Sequence, residues 1–322
     1  MKWQTIYNIS DRALGKLLLF LQSLCTIIAR LYNIPKLAHI AGFVPSSLHR
    51  MKGLIGLNTD HFEKFVVCPK CDNIYKLNQC YETTSTGKKK SARCRHVNFP
   101  NHPQKQQRRP CNTLLMKSVR SNNGQDVLVP KKLYCYNSIK SALETMIQRK
   151  GFMQACRSWK HRDTIAGVKF DHFDGNIWRE LQKQDGLAFM EDDYMLGLIL
   201  NVDWFQPFKH SQHSVGVMYV VVQNLPRDIR YKEHNVIILG VIPGPKEPKE
   251  TINTFLKPFI DELMDMFQGV QLKDHSACGS SLYRAALLCV ACDIPASRKT
   301  AGFPGHGALF GMLNDTSQVA SK

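Results

Sequence analysis

The chain has 322 residues, 43% of them apolar and 21% charged, a composition that excludes a disordered protein and leaves room for two or three folded domains. Its formal charge of +17 is unevenly divided: residues 1–150 hold 25 Lys and Arg against 7 Asp and Glu, and residues 151–322 hold 18 against 19. The basic excess of the first half points to an anionic partner such as a phosphate backbone, the alternative being a merely solubilising surface.

Met1–Ser10 is polar and without an apolar core leading to a small-residue cleavage site, so no signal peptide is expected. Ser10 is placed to cap a helix through Leu14, Leu17, Leu18, Leu21, Leu24, Cys25 and Ile28, apolar positions spaced three and four apart. This is a packed or partner-facing amphipathic helix. Lys16, Gln22 and Arg30 within it argue against a membrane span, which wants about 20 apolar residues. Pro35 and the 43–47 segment break the pattern, and Ser46 or Ser47 caps a short basic helix holding His49, Arg50 and Lys52. Residues 1–60 thus read as a small helical region.

From Phe65 to Cys111 the texture changes to short β-prone pieces, paired cysteines and a Lys88-Lys89-Lys90 loop. Eleven cysteines without a secretory leader indicate a reducing compartment and metal ligation rather than disulfides. Cys68-Pro69-Lys70-Cys71 is the strongest metal motif, because two thiolates two residues apart can hold one tetrahedral zinc from a tight turn. Cys94 and Cys111 supply a second arm, with Cys80, His96 and His102 as competitors; the bland reading is reduced, buried cysteine. Lys88, Lys89, Lys90, Arg93, Arg95, Arg108 and Arg109 lie between or beside these ligands, so residues 61–118 read as a zinc-binding basic module presenting cations to phosphates.

Residues 119–189 read as a mixed connecting region, with a strand-like stretch at Asp126–Tyr136, a helix at Ser138–Arg149 and a Trp-bearing polar region at Arg157–Trp178 to which pattern assigns no role. Apolar runs follow at Leu196–Val202, ending on Asp203, at Val215–Val222, and at Asn235–Ile242, stopped by Pro243-Gly244-Pro245. A helix is expected from about Glu247 to Gln268, with Pro248 in its first turn, Glu247 and Glu250 near its positive end, a kink at Pro258 and a stop at Gly269. Its apolar face is Ile252, Phe255, Leu256, Phe259, Ile260, Leu263 and Phe267. Tyr283–Ala291 is a fourth run, ending at Cys292 and Asp293. Cys289 and Cys292 share the two-residue spacing, but period-two alternation on a strand separates them, and buried core is the better reading.

Three strands, a helix and a returning strand, with acids on the first and after the last, is the order of the RNase H-like fold. The crossover makes first and fourth strands parallel neighbours, so Asp203 and Asp293 converge at one sheet edge. Two carboxylates about 4 Å apart repel by about 4 kcal/mol at an effective dielectric near 20, so the pair wants a cation, Mg2+ or Mn2+. A pair of such ions would clamp the attacking and leaving oxygens of a phosphodiester displacement. The alternative for each acid is an ordinary strand-end residue. His210 and His213 are left as solvated loop histidines, and Trp204 and Phe205 as packing.

Leu198–Phe208 (LILNVDWFQPF), Asn224-Leu225-Pro226, the 241–248 segment VIPGPKEP and Cys292-Asp293-Ile294-Pro295-Ala296 resemble transposases of the CACTA, or En/Spm, class. Cys68–Cys71 and the 173–178 segment FDGNIW look like landmarks of that class in the same order. The resemblance covers about residues 1–310. It implies a nuclear protein that cuts element ends and joins them to target DNA through an RNase H-like α/β core with three acids. Asp203 matches the first and Asp293 the second. Similarity ends near His306, the third acid is unmatched, and Asp315 is the only later one, in a polar tail. The expectation is therefore a partial core over 190–306 with a divergent tail at 307–322, with DNA and a self-copy or a full-length transposase as partners and no membrane partner. The rival is a zinc-dependent DNA-binding or interaction module with the former core as scaffold.

Overall fold

The computed structural model describes residues 10–45, 47–54, 61–85, 87–98, 102–121, 123–165, 167–181, 186, 189–248, 251–275 and 279–301. Ser46, Glu250, His306, Asp315 and the tail over 307–322 lie outside the described residues. The chain divides into two compact units, Met1–His61 and Phe62–Lys322.

The first unit holds helices α1 (Asp11–Leu31), α2 (Pro35–Phe43) and α3 (Leu48–Leu54). Ser10 caps α1 as its position predicts, accepting from Ala13 N–H at 3.2 Å, and Ser47 Oγ accepts from Arg50 N–H. Pro35 opens α2, where a missing N–H is harmless. Leu14, Leu18 and Ala29 of α1 are buried with Ala41 of α2, whereas Leu17, Phe20, Leu24, Ile27 and Leu31 are exposed. By length and composition alone, α1 is apolar enough to cross a membrane.

The second unit is a mixed α/β body built on one eight-stranded sheet. Its strands in chain order are β1 (Phe62–Val67), β2 (Ile74–Lys76), β3 (Tyr81–Thr83), β4 (Lys89–Ser91), β5 (Met116–Arg120), β6 (Asp126–Pro130), β7 (Leu133–Asn137), β8 (Met195–Phe205), β9 (Val215–Val222), β10 (Val236–Ile242), β11 (Val270–Lys273) and β12 (Ser280–Ala291). The large sheet runs β11-β12-β8-β9-β10-β7-β1-β2, and β3-β4 and β5-β6 are separate hairpins. The helices are α4 (Ile139–Ile147), α5 (Phe152–Arg157), α6 (Asn176–Glu180), α7 (Arg227–Arg230), α8 (Ile252–Gln268) and α9 (Ile294–Thr300).

Two strand readings change. The stretch at 126–136 is not one strand: it breaks at Lys131-Lys132 into β6, which hairpins with β5, and β7, which enters the large sheet between β1 and β10. The segment between Gly269 and Tyr283, to which the pattern assigned no strand, contains β11, an edge strand antiparallel to β12. Val270 and Leu272 alternate with Gln271 and Lys273 there, and Leu272 is buried, a period-two signal only four residues long.

One face of the sheet carries the main core. Leu196, Leu198, Leu200 and Val202 of β8 point to it with Val220 and Val222 of β9, and Phe255 and Phe259 of α8 and Leu143 of α4 cover them. Burying a side chain of this size stabilises by about 1.5–3 kcal/mol, which is why the even-numbered residues of β8 are apolar. Glu262 of α8 locks the two helices together: its Oε2 accepts from Tyr136 O–H, Ser138 O–H and Ile139 N–H at 3.0, 3.1 and 2.8 Å, so a carboxylate sits at the positive end of α4.

Helix α8 begins at Ile252, later than expected, and runs through Pro258 to a stop at Gly269. Glu247 and Pro248 are outside it: the preceding bend is tied to the loop before β9, Pro245 O accepting from Ser214 N–H, and a residue before proline is biased away from helix. Glu247 instead bonds Ser214 and Lys299. Met266 joins the buried face, and Ile260, expected on it, is 41% exposed.

On the opposite face Trp159, Phe173, Trp178 and Phe189 pack over Met195 and Ala286. The 157–178 region thereby acquires a structural role. Asp174 accepts from both Arg162 Nη atoms and from Phe170 and Asp171 N–H, and Asp171 pairs with Arg230. The FDGNIW segment is a packed, ion-paired brace on the core.

Candidate functional site

The first site begins where β1 ends. Cys68 N–H donates to Asn73 O and Asp72 N–H to Cys68 O, with Asp72 at φ +57°, so Cys68-Pro69-Lys70-Cys71 is a closed knuckle. The second arm is built alike: Cys94 N–H bonds Thr113 O, Asn112 N–H bonds Cys94 O, Cys111 N–H bonds His96 O, and Asn112 has φ +57°. The four sulfurs of Cys68, Cys71, Cys94 and Cys111 all lie within 4.8 Å of one another. Cys68–Cys111 is 3.7 Å and Cys71–Cys94 is 3.4 Å. Tetrahedral Zn–S bonds of about 2.3 Å place sulfurs roughly 3.8 Å apart. The cluster can therefore hold a metal such as zinc.

Its surroundings suit thiolates. Tyr75 O–H lies 3.1 Å from Cys94 Sγ and Thr113 Oγ1 3.3 Å from Cys111 Sγ, the hydrogen bonds that orient metal ligands. Without a cation the charges compete. A hydrogen bond from Cys71 holds the Cys68 thiol down, the same contact pushes Cys71 up, and burial pushes Cys94 up. Of the competing ligands, Cys80 is buried with its Sγ on Lys76 O, and His102 Nδ1 accepts from Gln104 N–H.

The seven flanking cations separate. Lys88, Lys89 and Lys90 are on or just before β4, where Lys90 pairs with Glu82 and Lys89 lies over Tyr81. Arg93 donates to Asn112 O and braces the second arm. Arg95 is exposed, its N–H on Tyr75 Oη. Arg108 and Arg109 line a cavity beside Cys71 and Cys111. Lys70, which the sequence reading passed over, lines it too; its place between two cysteine ligands was the available signal.

The second site is the edge formed by β8 and β12. These strands are parallel neighbours, with Asn201 opposite Ala291, and Asn201 Nδ2 donates to Ala291 O. Asp203 and Asp293 each stand two residues further on, so the register puts both acids at one end of the pair. Asp203 lies inside β8 on the face away from Val202, and its Oδ1 accepts from Trp204 N–H. Asp293 has left the strand and caps α9, accepting from Ala296 N–H at 2.8 Å. Both are exposed, and no cation among the described residues pairs with either.

The neighbouring side chains are structural. Trp204 packs on the main core with Lys299 Nζ 4.6 Å from its ring centre, while Phe205 is 46% exposed. His213 stacks edge-on to Phe208. Cys289 is exposed, not buried, as are the two residues that follow it to the end of β12; Cys292 is half-buried beyond the strand. Glu247 and Lys299, 52 residues apart, meet beside Trp204, a pairing no local pattern announces.

Residues 167–320 match the model of the transposase family tnp2. That portion, just under half of the chain, spans both acids of the β8–β12 edge and is related to this transposase family; the cysteine cluster precedes it. No curated protein matches the chain.

Proposed function

We propose that the chain is a transposase-derived nucleic-acid-binding protein of the CACTA (En/Spm) class, with a zinc-held basic module over 61–118, a connecting region over 119–189 and an RNase H-like core over 190–306. The observation that carries the reading is the parallel β12–β8 pair with Asp203 and Asp293 level at its end, within the segment similar to the tnp2 transposases. The antiparallel order β8, β9, β10, then α8, then β12 beside β8 supports the RNase H-like assignment, with β11 as an added edge strand.

In this reading Cys68, Cys71, Cys94 and Cys111 hold one structural zinc ion, which ties β1 to the segment carrying Arg93, Arg95, Arg108 and Arg109. Asp203 and Asp293 hold Mg2+ or Mn2+, which when bound supplies charge neutralisation for a phosphodiester oxygen. The chain's own residues place that edge: Asn201 ties the two strands, and the Asp293 cap orients its carboxylate on α9. Asp203 and Asp293 stand for two acids of a three-acid site, and in this reading the isolated chain binds DNA without strand transfer. A reducing, nuclear compartment follows from the thiols and the DNA partner, a self-copy or a full-length transposase is the expected protein partner, and no membrane partner is assigned.

The second reading, a zinc-dependent binding or interaction module with the core as scaffold, is favoured by one observation: Asp293 already serves as a helix cap. The test is purified full chain, zinc-loaded, with duplex DNA and Mg2+. The expected result is salt-sensitive binding without cleavage. Cleavage that disappears in Asp203→Asn would overturn the claim of inactivity, and a salt-independent or absent interaction would remove DNA from the reading.

A further inference from the structure

We infer that the outward face of α1 is a coiled-coil seam through which copies of this chain associate in parallel; this goes beyond the reading above, which names a self-copy as partner without a surface. Leu17, Phe20, Leu24, Ile27 and Leu31 follow one another at intervals of three, four, three and four residues, the strict a and d positions of a heptad. All five are exposed, by 37 to 74%. The opposite face is the one the fold uses: Leu18 and Cys25 at b, with Gln22 and Ala29 at f, are buried or half-buried, and α1 packs against α2 and α3. A helix serving only its own three-helix unit needs one such stripe, and α1 carries two.

Period, area and charge all fit a further copy of α1. A seam of period 3.5 matches another helix, whose a and d side chains fill the holes between these, whereas a lipid surface takes up apolar area without setting such a register. At roughly 200 Å2 for a large side chain laid bare, the five residues and Leu21 beside them offer about 600 Å2 of apolar surface per chain. That matches an interface of standard size, which takes about 800 Å2 from each partner, a little over half of it apolar. It also reaches the top of the roughly 300–600 Å2 range of the largest apolar patch on a monomer.

The flanking positions set the direction. Lys16, Ser23 and Arg30 stand at g, and Leu21 and Ile28 at e. In a parallel pair g of one helix lies beside e of the next, which places Lys16 on Leu21 and Ser23 on Ile28; the lysine stem then covers apolar area. An antiparallel pair brings g beside g and sets Lys16 against Arg30 of the other copy, a like-charge contact. The charge pattern therefore selects the parallel arrangement, and leucine at a with isoleucine at d favours more than two strands.

The test uses the zinc-loaded full chain without DNA. Sedimentation velocity over about 1 to 50 µM is expected to show a discrete oligomer of the native protein. Leu24→Gln/Ile27→Gln changes two exposed residues and should raise the dissociation constant at least about a hundredfold, since it removes two buried side chains from the seam of every copy. Leu19 is also exposed but stands at c, off the seam, so Leu19→Gln should leave association within about twofold. Lys16→Glu should do the same, within about twofold, because Lys16 meets an apolar neighbour. Circular dichroism checks that each variant keeps its helices. A native chain that stays monomeric, or equal losses from Leu19→Gln and the seam variant, would overturn the seam. A monomer that partitions onto phosphatidylcholine–phosphatidylserine vesicles would assign the face to lipid instead. Tighter association of Lys16→Glu would overturn the parallel arrangement, since an antiparallel pair gains an ion pair from that change. None of these readouts contains DNA, so the seam and the nucleic-acid reading fail separately.

Discussion

Replacing Glu262 tests the junction on which α8 rests. One oxygen, Oε2, accepts from Tyr136 O–H, Ser138 O–H and Ile139 N–H at 2.8–3.1 Å, with Lys140 N–H at 3.4 Å. Tyr136 is 1% exposed, so water cannot replace its partner. Glu262→Ala would leave at least one fully buried donor unsatisfied, at about 1–3 kcal/mol, and remove further bonds to a charged acceptor contributing about 1.5–3 kcal/mol each before others relax onto water. A total loss of about 3–5 kcal/mol is expected. Glu262→Gln keeps an acceptor but removes the charge from the amino end of α4, an effect of about 1–2 kcal/mol. Urea unfolding followed by far-ultraviolet circular dichroism and by tryptophan fluorescence gives both values. A cycle with Ser138→Ala should show coupling of about 0.5 kcal/mol or more. Additive effects, or an alanine variant within about 1 kcal/mol of the native chain, would refute the shared-oxygen account.

Three further outcomes are expected. Zinc should bind one per chain, and Cys94→Ser or chelation should lower that stoichiometry and unfold the module around Val66, Leu115 and Met116, whose core contains the cysteines; hydrogen exchange in β1 unchanged on chelation would contradict this. Burial raises the Asp171 carboxyl but the Arg230 pair and the His172 N–H outweigh it and hold it at about 2, below its ordinary 3.8. Its folded value is depressed, so its contribution is complete above about pH 4 and is lost as pH falls from there through about 2; Asp171→Asn should flatten the stability profile in that window, and an unaltered profile would show the pair contributes nothing. A Cβ at Gly244 would collide with Ser214 O and the His213 ring, so Gly244→Ala should cost about 1–3 kcal/mol in the same urea assay, whereas Gly42→Ala, with open space around it, should be near neutral.

Much of the fold was legible in local pattern because the governing forces are local. Ser10 announces a helix start, since a hydroxyl next to an apolar periodic run has one favourable use, and it caps as expected; Ser138, read only as the first residue of a helix, proves to be a cap as well. Val215–Val222 is a strand end to end, because five valines and a tyrosine in eight residues pack best on a pleated, largely buried surface. Asp203 and Asp293 could be placed at one edge because a crossover helix leaves the first and fourth strands parallel. The CxxC spacing announced the knuckle, since a tight turn brings two sulfurs together whatever lies around it.

The rest needed the third dimension. The sequence by itself determined the acid pair, the cysteine motif and the basic half, all properties of residue type at short spacing or of strand order. Only the tertiary structure decided that β7 and β1 extend the sheet of the transposase-like segment, that Cys94 and Cys111 rather than Cys80 or His102 complete the sulfur cluster, and that Lys70 faces the same cavity as Arg109. Those outcomes depend on pairings across tens of residues, where each strand edge and each thiol has several chemically equal partners. The choice is made by which arrangement buries the apolar faces of α8 and β8 and satisfies every buried donor at once.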